Sequence, residues 1–276
     1  VKAFLERLFD TDKANGKGKL SVSTIKVIKA YLSSIMTEAR WDGQIEANPA
    51  AQTGRLFKGK QSKKKDVDFF TWDEVKLFEE AVKKHAPRYW PFFLTALRTG
   101  ARLGEVMALK PGDLDFVNGF ISIERTFSGG RITTPKSGKT RRVYLTGELR
   151  DVLDGHLTKR KAEKVKKGWK EMPEWLFYSE AGTALDVNNI RKQVFYKVLE
   201  KAKLRRIKFH ALRHTCASLR ISAGHNIKDI QEQLGHHSIQ ITMDTYGHLM
   251  EGEHRSQVEE LDMAEAPNGK AVNGND

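Results

Sequence analysis

Residues 209–249, FHALRHTCASLRISAGHNIKDIQEQLGHHSIQITMDTYGHL, carry His210, Arg213, His214, His236, His237 and Tyr246 on segments that read as helix. His210 and Arg213, three residues apart, share a helix face and can reach one anion. Gly235 ends one helix and Ser238 caps the next, so His236 stands at a junction ten residues before Tyr246. An unperturbed phenol titrates near ~10, so Tyr246 attacks only if cations favour the phenolate or a base removes its proton. His210 and nearby arginines could do both. The combination suggests phosphate chemistry. A packed helical bundle with incidental histidines is the plainer alternative. A zinc site of His210, His214 and His236 or His237 is another, but it lacks the H-E-x-x-H signature and leaves the arginines idle.

Outward from this stretch, Gly100-Ala101-Arg102-Leu103-Gly104-Glu105 places a second guanidinium at a helix start, where free backbone N–H groups point outward. Two arginine forks can bind the non-bridging oxygens of a phosphodiester and stabilise a pentacoordinate transition state, so the chemistry asks for no metal and no cofactor. A departing sugar oxygen needs a general acid. Lys136 or Lys139, in the turn Pro135-Lys136-Ser137-Gly138-Lys139, suits that task, with Lys136 preferred.

The whole chain fits a polyanionic partner. Its 276 residues contain 48 Lys and Arg against 35 Asp and Glu, a net charge of +13, and its pI is 9.6; such an excess points to nucleic acid. No run of some eighteen apolar residues exists and no apolar signal segment opens the chain, so a membrane is not expected and an intracellular protein is. Cys216, the one cysteine, permits no disulfide and reads as a buried inert thiol.

The expected fold class is mainly α with a small antiparallel β-sheet, an α+β chain of two domains. Residues 1–53 form a helical domain whose long helix runs from Ser21 to Trp41. It begins at Val1 inside an amphipathic stretch and is expected to be N-terminally incomplete. Asp10 and Asp12 open a loop that resembles a calcium site, but Ala14 and Ser21 occupy ligand positions, and a solvated loop is expected. Residues 54–69 are a basic linker, and Lys58, Lys60, Lys63, Lys64 and Lys65 are expected to meet DNA phosphates. The second domain, 70–263, opens with the capping box Thr71-Trp72-Asp73-Glu74. Asn118-Gly119 signals a two-residue hairpin, and strands at 131–134 and 141–145 are expected to pair across the lysine turn. Lys139 and Arg141 beside that turn are further expected DNA contacts. The run Lys159–Lys170 is too charged for burial to be expected, Trp175–Tyr178 reads as a short strand, and Asp186 caps a helix through Leu199. A last helix at 253–263 precedes a disordered tail, 264–276.

In order and with family-like spacing, Arg102/Glu105 in TGARLGEVMAL, Lys136 in TPKSGKTRRVYL, His210/Arg213 in FHALRHT, His236 in LGHHS and Tyr246 in TMDTYGHL resemble the tyrosine recombinases, the phage integrase family. The resemblance implies a helical core-binding domain and a catalytic domain. Its catalytic set would be Arg102, Lys136, His210, Arg213, His236 and the nucleophile Tyr246, with Glu105 in support. It implies a 3′-phosphotyrosine intermediate made without metal or ATP. Its partners would be double-stranded DNA at attachment or recombination sites, a homotetramer with exchanged C-terminal segments, and accessory DNA-bending or directionality proteins, all in the cytoplasm of a bacterial host. His214, His237 and His248 are expected to be structural. A DNA-binding protein with an inactive site and, further off, a metal-dependent hydrolase remain the alternatives.

Overall fold

A computed structural model describes residues 1–14, 16, 18–60, 67–134 and 140–250, without the side chains of His248 and Met250. The chain divides into two compact units, Val1–Asp66 and Val67–Asp276. In the first unit, α1 (Lys2–Leu8) packs on α2 (Val22–Trp41) through the fully buried Leu5 and Ile25. The Ser21 hydroxyl accepts the Thr24 N–H and starts α2 where expected. The Asn48 side-chain amide then donates to the Ser33 carbonyl at 2.8 Å and to the Thr37 hydroxyl at 2.9 Å, tying the following segment back to α2. A 3-10 helix, Ala51–Phe57, places Phe57 against Phe9, ring centroids 5.8 Å apart. The segment expected as linker from Gly54 is thus helical to Phe57, while Lys63, Lys64 and Lys65 lie outside the described residues.

In the second unit the capping box forms as read. The Thr71 hydroxyl accepts the Glu74 N–H and the Glu74 carboxylate accepts the Thr71 N–H, starting α3 (Trp72–His85). Behind it α4 (Trp90–Thr99) is buried along most of its length, and α5 (Leu103–Met107) follows a tight turn. Phe78, Phe92, Phe93, Phe195 and Phe209 meet edge-to-face or tilted, apart from the stacked pair Phe93–Phe195, with centroids 5.4–6.1 Å apart, and form the centre of the core.

The sheet differs from the expectation. β1 (Leu114–Asp115) pairs with β2 (Phe120–Ile123) in the register Leu114↔Ile121, leaving four residues between them rather than two. The Asp115 carboxylate accepts both the backbone and side-chain N–H of Asn118, an Asx arrangement that lengthens the turn. β4 (Arg131–Thr133) pairs with β3 (Thr126–Ser128), while β5 (Arg141–Tyr144) joins β2. The expected pairing of 131–134 with 141–145 is therefore replaced by a three-stranded sheet, β1-β2-β5, and a separate hairpin. Gly129 and Gly130, at φ +57° and +77°, form the two-residue turn of that hairpin.

α6 (Gly147–Lys167) also corrects the reading of its basic end. Arg160 is only 2% exposed, because its guanidinium donates to the carbonyl oxygens of Pro173, Trp175 and Leu176. A buried charge is tolerated where its donors are satisfied. The Trp175 and Leu176 carbonyls belong to the segment expected as a strand at 175–178, where only a lone bridge, Tyr178↔Ala184, forms. A π-helical segment, Asn189–Phe195, its start capped by Asp186, leads into α7 (Tyr196–Lys201). Then come α8 (Ala211–Ser222), α9 (Ile227–Leu234) and α10 (Ile239–Tyr246), followed by a 3-10 turn. The fold is mainly helical with small antiparallel sheets, as expected. The helix expected at 253–263 and the tail lie outside the described residues. Among the described residues no helix is long and apolar enough to cross a membrane.

Candidate active site

The turn after α4 sets the position of Arg102. Gly100 adopts φ +64°, and a Cβ there would come within 2.6 Å of Leu234 and 3.2 Å of the Cys216 sulfur. Only glycine allows both the left-handed turn and the close approach of α8 and α9. Arg102 then stands just before α5, where the Glu105 carboxylate accepts its backbone N–H at 2.8 Å and its guanidinium at 2.9 Å. Arg141, on β5, grips the same carboxylate with both terminal nitrogens at 3.2 and 2.7 Å, and donates from Nε to the Gln233 carbonyl. Arg141, expected on DNA, is thus a partner of Glu105, with its side chain only 10% exposed. Burial alone would raise the Glu105 carboxyl. The hydrogen bonds and charge of Arg141, with the backbone N–H and charge of Arg102, outweigh it and hold the carboxyl at about 2.

His210 caps α8 and Arg213 lies in its first turn. Arg213 is 2% exposed; one terminal nitrogen donates to the Gly100 carbonyl at 2.8 Å, while the other, Nη2, is buried without a partner. Burial, then the charges of Arg102 and Arg141, lower its pKa to about 10, so it stays protonated at neutral pH. His210 is pushed below the ordinary imidazole value by burial and by Arg213 and Arg102. It opens with Arg102, Ser128 and Arg191 onto a 290 Å3 cleft.

Gly235, at φ +67°, ends α9, and a Cβ on it would collide with the Arg141 side chain. The next residue, His236, shares a hydrogen bond of 2.8 Å between Nδ1 and the Thr242 hydroxyl, which leaves Nε2 for a ligand. Its pKa is lowered to about 4 by burial and then by Arg213 and Arg102. Tyr246 ends α10 and is 1% exposed among Ala217, Ile221, Ile230 and Leu234. Its hydroxyl lies 2.7 Å from Nδ1 of His214. Burial raises the phenol pKa, although Arg213 opposes the shift, and burial followed by His210 and Arg213 lowers His214 to about 4. Both groups are therefore uncharged at neutral pH, and with the ring proton on Nε2 the phenol donates to Nδ1.

Arg102, His210, Arg213 and His236 converge on one electrostatic site. Lys136 and Lys139 lie outside the described residues. Lys58 ends the 3-10 helix of the first unit, and the Lys60 ammonium sits 3.5 Å over the Phe9 ring. The sequence reading missed His214 as a partner of Tyr246 and Arg141 as a partner of Glu105. The i, i+4 spacing of His210 and His214 was visible, but nothing local indicated where α10 would return. Among the described residues no group of three or more His, Cys, Asp or Glu is placed to hold a metal ion.

The Phage integrase family model matches residues 68–253. A tyrosine recombinase XerC-like protein of Caldanaerobacter subterraneus subsp. tengcongensis is 29% identical over 91% of this chain and 68% of its own length. The ICEBs1 integrase of Bacillus subtilis is 27% identical over 88% of this chain and 66% of its own. This chain thus spans about two thirds of the length of those relatives. In fold, the Tn1549 transposon integrase in complex with transposon right end DNA superposes with a TM-score of 0.73 at 22% identity, covering 95% of this chain and 84% of that one. XerH bound to palindromic difH substrate, a post-cleavage complex, gives 0.69 at 23% identity, covering 94% and 72%. The family match spans well over half of the sequence and every residue of the site from Arg102 to Tyr246, and the chain belongs to the phage integrase family of tyrosine recombinases.

Proposed function

We propose that this protein cuts and rejoins DNA strands at specific sites, with Tyr246 as nucleophile. The observation that carries the reading is the Arg213 guanidinium, buried, protonated and with Nη2 unpartnered, beside Arg102, His210 and His236. A buried unpaired donor on a cation costs folding energy that an anionic ligand returns. A phosphodiester carries one negative charge on two non-bridging oxygens, matching donors from two arginines and two imidazoles. The hydroxyl oxygen of Tyr246 gives its proton to a neighbouring imidazole and forms a bond to phosphorus as the bond to the 5′-oxygen breaks. That oxygen leaves with a proton from Lys136, and a 3′-phosphotyrosine remains. The 5′-hydroxyl of a partner strand reverses the step. One phosphate ester replaces another, so the step balances without ATP.

The Tn1549 integrase and XerH are described with DNA, and their shared fold supports DNA as substrate here. The net charge of +13 agrees. In the same reading the first unit is the core DNA-binding domain and Lys58, Lys60, Lys63, Lys64, Lys65 and Lys139 add phosphate contacts. The active assembly is a homotetramer on recombination sites in a bacterial cytoplasm, with accessory proteins setting direction.

Incubation with a suicide DNA substrate in excess EDTA tests the reading. The parent should form a denaturant-resistant protein–DNA adduct and Tyr246→Phe should not. An adduct formed by Tyr246→Phe would remove the nucleophile assignment, and a parent that binds but never traps would leave a DNA-binding protein without chemistry.

A further inference from the structure

We infer that His214, rather than His210, accepts the proton of Tyr246 during strand cleavage. The inference rests on Tyr246 being the nucleophile. It starts from contact with a reacting atom: Nδ1 of His214 is 2.7 Å from the phenol oxygen, with the rings 5.7 Å apart and inclined at 59°. No hydrogen bond joins His210 to Tyr246 among the described residues. Its ring lies edge-on to that of His214, centroids 4.8 Å apart, and it faces the cleft that Arg102 lines. The two imidazoles, one helical turn apart, thus divide the work: His210 serves the phosphate oxygens and His214 the nucleophile.

The surroundings leave His214 unprotonated before substrate arrives. The charged and titratable groups acting on His214 are His210, Arg213 and Asp68, and the first two together with burial keep its ring neutral. A neutral ring that receives the phenol proton at Nδ1 carries its own proton on Nε2. In the cleavage step the Tyr246 proton passes to Nδ1 as the oxygen–phosphorus bond forms, giving an imidazolium. The electron pair of the breaking bond goes to the 5′-oxygen, which is protonated by the lysine acid. In rejoining, the imidazolium returns its proton to the departing phenolate. Entry of the phosphate anion beside Arg213 offsets the cationic field that disfavours a charged His214, so acceptance becomes easier when substrate is bound. Tyr246 is 1% exposed in this arrangement, and in the inferred step the phenol turns toward phosphorus while keeping its contact with Nδ1. Because α8 is anchored by Arg213 on the Gly100 carbonyl, the acceptor stays beside the phosphate site as this happens.

His214→Asn separates this role from simple positioning. The Asn side-chain oxygen sits near the Nδ1 position and can hold the phenol, but it cannot take the proton. On the suicide substrate at neutral pH, His214→Asn should bind DNA as the parent does and form the Tyr246 adduct about 100-fold or more slowly. Replacing Tyr246 in that variant by 3,5-difluorotyrosine, whose phenol is more acidic, should restore most of the rate, with little gain in the parent background. Parent-like trapping by His214→Asn, or faster trapping by His214→Ala, would overturn the inference and make the contact a simple tether. A rate loss that difluorotyrosine repairs in His210→Asn and not in His214→Asn would also overturn it, returning the base to His210. A parent that fails to trap refutes the proposed function itself, a separate outcome.

Discussion

Replacing Glu105 with Gln removes one negative charge from the point where two guanidiniums converge, while keeping size and shape. Glu105 is 1% exposed, so water screens the change little. Its carboxyl is held at about 2 against an ordinary 4.5, and that separation is linked to folding. Converted at ~1.4 kcal/mol per pKa unit, it stabilises the fold by about 3 kcal/mol at neutral pH. The folded value is depressed, so the contribution is complete above the unfolded value and disappears as pH falls through about 2. Urea unfolding followed by tryptophan fluorescence measures it, because Trp72, Trp90, Trp169 and Trp175 lie in the second unit and only Trp41 in the first. The parent should exceed Glu105→Gln by about 3 kcal/mol at pH ~7, narrowing to about 2 kcal/mol at pH ~3.5. A gap under ~1 kcal/mol at neutral pH, or one that does not narrow, would show that Arg102 and Arg141 find other partners and that Glu105 is not their common anchor.

Arg213→Ala should abolish adduct formation and lower the slope of log affinity against log salt by only about one unit, since one phosphate contact among many is lost. Filter binding across a salt series reads this, and near-complete loss of DNA binding would contradict it. Lys136→Ala should lose cleavage on ordinary DNA and regain it on a substrate whose 5′-bridging atom is a better leaving group. The same rescue seen with Lys139→Ala alone moves the acid three residues along the turn.

Much of the fold was legible because its signals are local. The Thr71 capping box, the start of α2 at Ser21 and the helix ends at Gly100 and Gly235 depend on residues one to four positions apart. The hairpin order was not. Gly129-Gly130 competed with the lysine turn as the pairing point, and only the two-sided fit of β5 onto β2 and of β3 against α5 selects between them. Burial of Arg160 was equally hidden, since its three acceptors come from a segment that has no local feature to mark them.

The site divides in the same way. By itself the sequence determined which side chains could do phosphoryl chemistry, because guanidinium, imidazole and phenol are needed in a recognisable order and each sits beside its own turn or cap. Only the tertiary structure decided who touches whom: Arg141 on Glu105, Arg213 with one nitrogen left over, and Tyr246 on His214. Those pairings join residues 32 or more positions apart along the chain. They are set by how α4, α8, α9 and α10 pack, and no local spacing encodes that packing.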